Sequence, residues 1–157
     1  MSNAVHHVEA PIIEAEYTTV GFVAADQYVL VVDDDYAILS VILMLLETEG
    51  YAGLGFLQSR KVQPFLEQVR TLDTAEQGMH LPSVILLDLM MPGVSGYDIA
   101  TWLTHQQWHI PVIAMSADPA LSNADVVYGA SDWLGKPFHI DTLLHKVERY
   151  LSPSLII

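Results

Sequence analysis

From Tyr28 onward the chain alternates short apolar runs with longer stretches of helical period. Residues 28–32, Tyr-Val-Leu-Val-Val, are apolar without alternation, the pattern of a strand buried on both faces. The run stops at Asp33, Asp34 and Asp35. A helix is predicted over 37–49, with Gly50 as its C-terminal stop. Residues 51–56 suit a second strand, weakened by Gly53 and Gly55. Residues 60–69 read as helix, with Pro64 limiting where it can begin. Residues 71–81 are polar and loop-like. A third buried strand over 83–87 ends at Asp88. Met91-Pro92-Gly93 makes a loop before a helix over 97–106. Residues 111–115 form a fourth strand ending at Ser116, followed by a short helix over 120–128. A fifth strand over 131–134 leads into Gly135-Lys136-Pro137. The last helix covers 140–151, with Ile140, Leu143, Leu144, Val147 and Leu151 on one stripe.

Five strands alternating with five helices imply an α/β fold, a parallel sheet with right-handed crossovers and helices on both faces. Ligands of such sheets bind at the carboxyl ends of the strands. The acids at 33–35, Asp88, Ser116 and Lys136 all lie just past predicted strand ends. Residues about 100 apart in sequence are therefore expected on one rim.

Length and composition narrow the possibilities. The 157 residues suit one domain, and 52% are apolar, enough for a packed core. With no cysteine, disulfides, thiolate metal sites and cysteine nucleophiles are excluded. Six basic side chains face 19 acidic ones, a net charge of −13. Such a chain can hardly build the basic patch that nucleic acid requires, and an anionic membrane would repel it. The apolar stretch at 37–46 is too short to span a bilayer, and no secretory signal is evident. A cytoplasmic protein is expected.

The rim residues suggest a chemistry. Crowded carboxylates repel one another unless a cation compensates. Mg²⁺ takes oxygen ligands and keeps several waters. A carboxylate can attack a phosphoryl group to give an acyl phosphate. Lys136 offers a point charge to a phosphate oxygen, and Ser116 a hydroxyl. Taken singly, each residue has an ordinary reading: a solvated acidic turn at 33–35, a helix cap or turn former at Asp88 and Ser116, a surface lysine at 136. Their order, and their common place at strand ends, is what makes them specific.

The segments VLVVDDD at 29–35, VILLDLMMPGVSG at 84–96, PVIAMSA at 111–117 and WLGKPF at 133–138 resemble the receiver domain of two-component response regulators. The resemblance covers 28–151, with 1–27 an N-terminal extension whose first residues look like a tag remnant, and 152–157 a tail. It implies a flavodoxin-like doubly wound sheet of order 2-1-3-4-5. It further implies that Asp88 accepts a phosphoryl group and that Asp33, Asp34, Asp88 and the Met90 backbone carbonyl hold Mg²⁺, Asp34 directly and Asp33 through water. By the same resemblance Ser116 is the switch hydroxyl, Lys136 the phosphate-binding lysine and Trp133 the aromatic switch. Pro137 matches a proline usually preceded by a cis peptide bond. Asp35 is left to cap the first helix. The implied partners are a histidine kinase or histidine phosphotransfer protein and a downstream protein. Turnover enzymology is not expected.

The chain also departs from the family pattern. The spacing from Asp34 to Asp88 is long, the excess falling at 71–81, and the region between Ser116 and Lys136 is short. In the first helix Ile38, Val41, Ile42, Leu45 and Glu49 define one face, which leaves Leu43 and Met44 on the solvent side. These two are scattered surface hydrophobes, a docking surface, or a patch covered by the N-terminal segment at 11–25; the sequence leaves all three open. The seven histidines show no metal-ligand spacing. The tail, ending Leu155-Ile156-Ile157, fits either a stand-alone receiver or one cut from a longer protein.

Two other functions are possible on the residues alone. A haloacid-dehalogenase-like phosphatase would use Asp33 as nucleophile and Asp35 as acid. A constitutive interaction module would keep the pocket without being phosphorylated.

Overall fold

Val29–Val32 is fully buried along its length, because a central strand has helices over both of its faces. The computed structural model describes residues 17–21, 26–72, 80–121 and 128–152. Its elements in chain order are β1 (Tyr17–Val20), β2 (Val29–Val32), α1 (Tyr36–Thr48), β3 (Gly53–Phe56), α2 (Val62–Leu72), β4 (Val84–Asp88), α3 (Gly96–Gln106), β5 (Val112–Ser116), β6 (Asp132–Gly135) and α4 (Ile140–Glu148). Short 3-10 turns occupy Ser59–Lys61 and Pro119–Leu121.

The sheet order is β1-β3-β2-β4-β5-β6. All pairs are parallel except β1 with β3. Without β1, the five parallel strands follow the flavodoxin-like order expected from the sequence. Side chains alternate between the faces. Leu30 and Val32 point into a core shared with Phe65, Leu66, Ile99 and Leu103 of α2 and α3. Val29 and Val31 point into one shared with Leu39, Ile42, Leu46, Leu143 and Val147 of α1 and α4.

The structure corrects the sequence reading in several places. Among the described residues the sheet has six strands, because Tyr17–Val20 adds an antiparallel edge strand to β3. The described residues hold four α-helices rather than five, and most of the helix expected over 120–128 lies outside them. So does most of the loop expected over 71–81, α2 itself running to Leu72. The buried face of α1 is Leu39, Ile42, Leu43 and Leu46, not the face built on Val41 and Glu49. Leu43 is only 3% exposed, whereas Met44 is 58% exposed. In α4, Leu143 and Val147 are buried but Ile140, at the first turn, is 50% exposed.

Leu43 is buried because β3 carries glycines. A Cβ on Gly55 would lie 2.7 Å from Leu39 Cδ1 and 2.9 Å from Leu43 Cδ1. The glycines that weaken β3 as a strand prediction are what let α1 lie close against the sheet. On the opposite face of the same edge, Tyr17 packs on Phe56 and Phe65, with ring centroids 5.6 Å away from each.

Candidate functional site

Four strand ends deliver the site. Asp33 follows β2, Asp88 ends β4, Ser116 ends β5 and Lys136 follows β6. Parallel pairing sets these ends side by side. Gly96, the first residue of α3, helps fix the Asp88 backbone, since a Cβ there would strike the Asp88 carbonyl oxygen. Ser95 and Asp98 close that helix start as a capping box.

Asp33 is fully buried. Its Oδ2 accepts from Lys136 Nζ at 2.6 Å, and its Oδ1 accepts from the Asp35 backbone N–H at 2.9 Å. The same ammonium lies 3.4 Å from Asp88 Oδ2. Asp88 Oδ1 accepts from the Met90 N–H at 3.2 Å. Asp34 is exposed on the rim. Asp33, Asp34 and Asp88 each offer a carboxylate oxygen within 4.8 Å of the other two. Among the described residues this is the group of acids and histidines able to hold a metal ion, and it contains no histidine.

The electrostatics of Asp88 follow from this packing. Burial raises its pKa most, and the neighbouring Asp33 carboxylate raises it further. Lys136 and the Met90 N–H oppose them without cancelling them, and the Asp88 carboxyl is pushed up to about 6. One ammonium does not satisfy three carboxylates. A hard divalent cation with oxygen ligands would supply the missing charge, so the donor set fits Mg²⁺.

The remaining predicted residues surround this centre. Ser116 Oγ accepts from the Asp118 N–H at 3.0 Å, and the Ser116 carbonyl accepts from the Lys136 N–H at 2.8 Å. The Met90 side chain is 69% exposed. Trp133 is half-buried, pairs with Ala114 across the sheet and, like Tyr97, packs on the small core of Leu89 and Ala114. The Lys136–Pro137 peptide bond is cis. Asp35 caps α1, its Oδ1 accepting from the Ala37 and Ile38 N–H groups at 2.9 and 3.3 Å.

The sequence reading missed the end of β3. Residues Leu57 to Arg60 follow that strand and, with Met91 to Val94, line a cleft that reaches Asp34. The strand-end rule could have found them, since Phe56 ends a strand as surely as Val32 does.

The sequence profile of the response regulator receiver domain matches residues 29–148. The chain belongs to that family, whose members act in two-component signalling as phosphoryl-accepting switches. It is 31% identical over 129 residues to the uncharacterized transcriptional regulatory protein YkoG of Bacillus subtilis (strain 168), covering 81% of this chain and 52% of that one. It is 29% identical over 133 residues to the cell cycle response regulator CtrA of Brucella ovis, covering 80% and 50%. The chain thus spans about half the length of the curated relatives it matches. Among solved structures, the receiver domain of the Francisella response regulator 1452 superposes with a TM-score of 0.66 at 29% identity, covering 80% of this chain and 96% of that one. None of these matches supports the haloacid-dehalogenase-like alternative. The geometry also disfavours it, because the required acid, Asp35, is committed to the helix cap. Among the described residues no helix is long and apolar enough to cross a membrane.

Proposed function

We propose that this domain accepts a phosphoryl group on Asp88 from a phosphohistidine of a histidine kinase or phosphotransfer protein in the cytoplasm, and passes the change to a downstream protein. One observation carries the reading: Asp88 shares a rim pocket with buried Asp33, exposed Asp34 and one lysine, its carboxylate 3.4 Å from the Lys136 ammonium. An Asp88 oxygen forms a bond to phosphorus as the donor's P–N bond breaks. The P–N electron pair stays on the imidazole nitrogen, which takes up a proton.

Asp34, Asp88 and the Met90 carbonyl would hold Mg²⁺ directly. Asp33, whose two oxygens already accept from Lys136 and the Asp35 N–H, would act through water. When bound, the ion neutralises the phosphoryl oxygens. Lys136 can turn from Asp33 and Asp88 toward the incoming phosphoryl group. Ser116 already accepts from Asp118, so its hydroxyl proton is left to donate to a phosphoryl oxygen. That pull on the end of β5 reaches Trp133, the paired neighbour of Ala114 on β6, and shifts the population of the surface around it. Residues 28–151 form the receiver unit, and residues 17–20 of the preceding segment complete its sheet.

Incubation with acetyl phosphate and Mg²⁺ tests this. The expected result is a hydroxylamine-labile acyl phosphate that Asp88→Asn abolishes. Stoichiometric labelling that persists in Asp88→Asn would overturn the assignment.

A further inference from the structure

We propose that the cleft beside Asp34 receives one apolar side chain of the phosphohistidine donor, with a donor carboxylate set against Arg60. This rests on the phosphoacceptor reading and adds to it the recognition of the donor.

The cleft has a cavity volume of about 140 Å³. That is too small for a typical ligand pocket, which needs several hundred cubic ångströms, but close to a cavity that takes one benzene ring. It is the size of one side chain. Leu57, Met91, Pro92 and Val94 give it apolar walls, while Asp34 and Arg60 stand among its polar lining. Leu57 is 38% exposed although it follows the fully buried Phe56, so the cleft is open to an incoming group.

Position names the occupant. Asp34 belongs both to the carboxylate cluster and to the cleft lining. A donor must bring its imidazole nitrogen in line with Asp88, which fixes its backbone over the rim. Side chains one helical turn away lie about 5–6 Å from the phosphohistidine, and therefore fall on the surface next to the pocket. The cleft is that surface on the β3 side.

Charge names the flanking group. Arg60 is one of only 6 lysines and arginines in a chain of net charge −13. Its Nε and Nη2 both donate to Gln58 Oε1, at 3.3 and 3.1 Å, which holds the guanidinium near the cleft. Asp34 lines the same cleft, and its charge is engaged by the metal in the proposed reaction. A donor carboxylate set against Arg60 is matched in charge, which sets orientation as well as affinity.

The test uses helical peptides carrying one phosphohistidine, flanked one turn away by Leu and Glu, by Ala and Glu, by Leu and Lys, or by Ala and Lys. Acetyl phosphate labelling of the wild-type protein is measured first, since its failure would refute the phosphoacceptor reading itself. Transfer from the Leu/Glu peptide is then expected to be at least 10-fold faster than from the Ala/Lys peptide. Arg60→Glu is expected to reverse the Glu-over-Lys preference while keeping the Leu-over-Ala preference. Equal transfer from all four peptides, including none from any, overturns the proposal. So does a charge preference that Arg60→Glu leaves unchanged.

Discussion

Two ion-pair clusters sit at opposite ends of β6, and they are built to opposite rules. Past its carboxyl end, Lys136 meets Asp33 at 2.6 Å and Asp88 at 3.4 Å, with Asp34 close by. At its amino end, Asp132 meets Lys146 at 2.9 Å and Arg149 at 3.7 Å. One cation serves several acids in the first cluster, and two cations serve one acid in the second. The carboxyl groups respond accordingly. Burial raises both, but in Asp132 the Lys146 hydrogen bond, the Trp133 N–H and the charges of Lys146 and Arg149 outweigh it, and the pKa is lowered. In Asp88 burial, reinforced by the second acid, prevails, and the pKa rises to about 6. The Asp132 cluster has more cations than acids and ties β6 to α4, although Asp132 Oδ2 has no hydrogen-bond partner among the described residues. The Asp88 cluster is left short of positive charge, the condition that favours a divalent ion and the chemistry of a phosphoryl group.

The largest effect should come from removing the cation that is in short supply. Lys136→Ala leaves fully buried Asp33 without its ammonium, and is expected to cost about 3 kcal/mol in urea unfolding. Labelling by acetyl phosphate should fall about 100-fold or more. Unchanged labelling would break the distinction between the clusters.

Adding the missing charge should nearly match that effect in the other direction. Mg²⁺ at about 100 times its dissociation constant should stabilise the protein by about 2.7 kcal/mol, read as a rise in Tm. The rise should shrink as pH falls through about 6, where Asp88 takes a proton instead. A rise that is the same on both sides of that pH would contradict the charge argument.

Removing the crowded acid should stabilise the metal-free fold. The folded Asp88 binds its proton more tightly than the unfolded one, whose pKa is 3.8. Its ionisation therefore costs stability as pH rises from about 4 to about 6. Asp88→Asn should add about 2 kcal/mol at neutral pH and flatten that part of the pH profile. A destabilised mutant would show that Lys136 satisfies the site alone.

The smallest effect belongs to the other cluster. Asp132→Asn should lose about 1 kcal/mol near neutral pH, with labelling unchanged. Its folded pKa lies below the unfolded 3.8, so this contribution is present above that value and disappears as pH falls through the folded pKa.

The site was more legible in the sequence than the sheet edge was. Asp33, Asp88, Ser116 and Lys136 each follow an apolar run, and the strand-end rule gathers residues of that kind without further information. The sheet edge obeys no such local rule. Tyr17–Val20 is four residues long, and its partner β3 is disguised by Gly53 and Gly55. Their meaning is tertiary, for the missing side chains make room for Leu39 and Leu43. The same fact misled the reading of α1. Its helical period is blurred by apolar residues on most sides, and only the glycine-lined strand decides that Leu43 is covered and Met44 is not. The Asp132 tie was also hidden, because a lone Asp and two basic residues on a later helix carry no spacing signal.

The claim that the acid-rich cluster around Lys136 holds the phosphoacceptor can be tested at the level of one residue. After labelling with acetyl phosphate and Mg²⁺, borohydride reduction converts the acyl-phosphate aspartate to homoserine, and peptide mass spectrometry locates it. Homoserine at position 88, with none at 33, 34 or 132, is the predicted result. Homoserine at any of those three positions, or no homoserine in fully labelled protein, would contradict it.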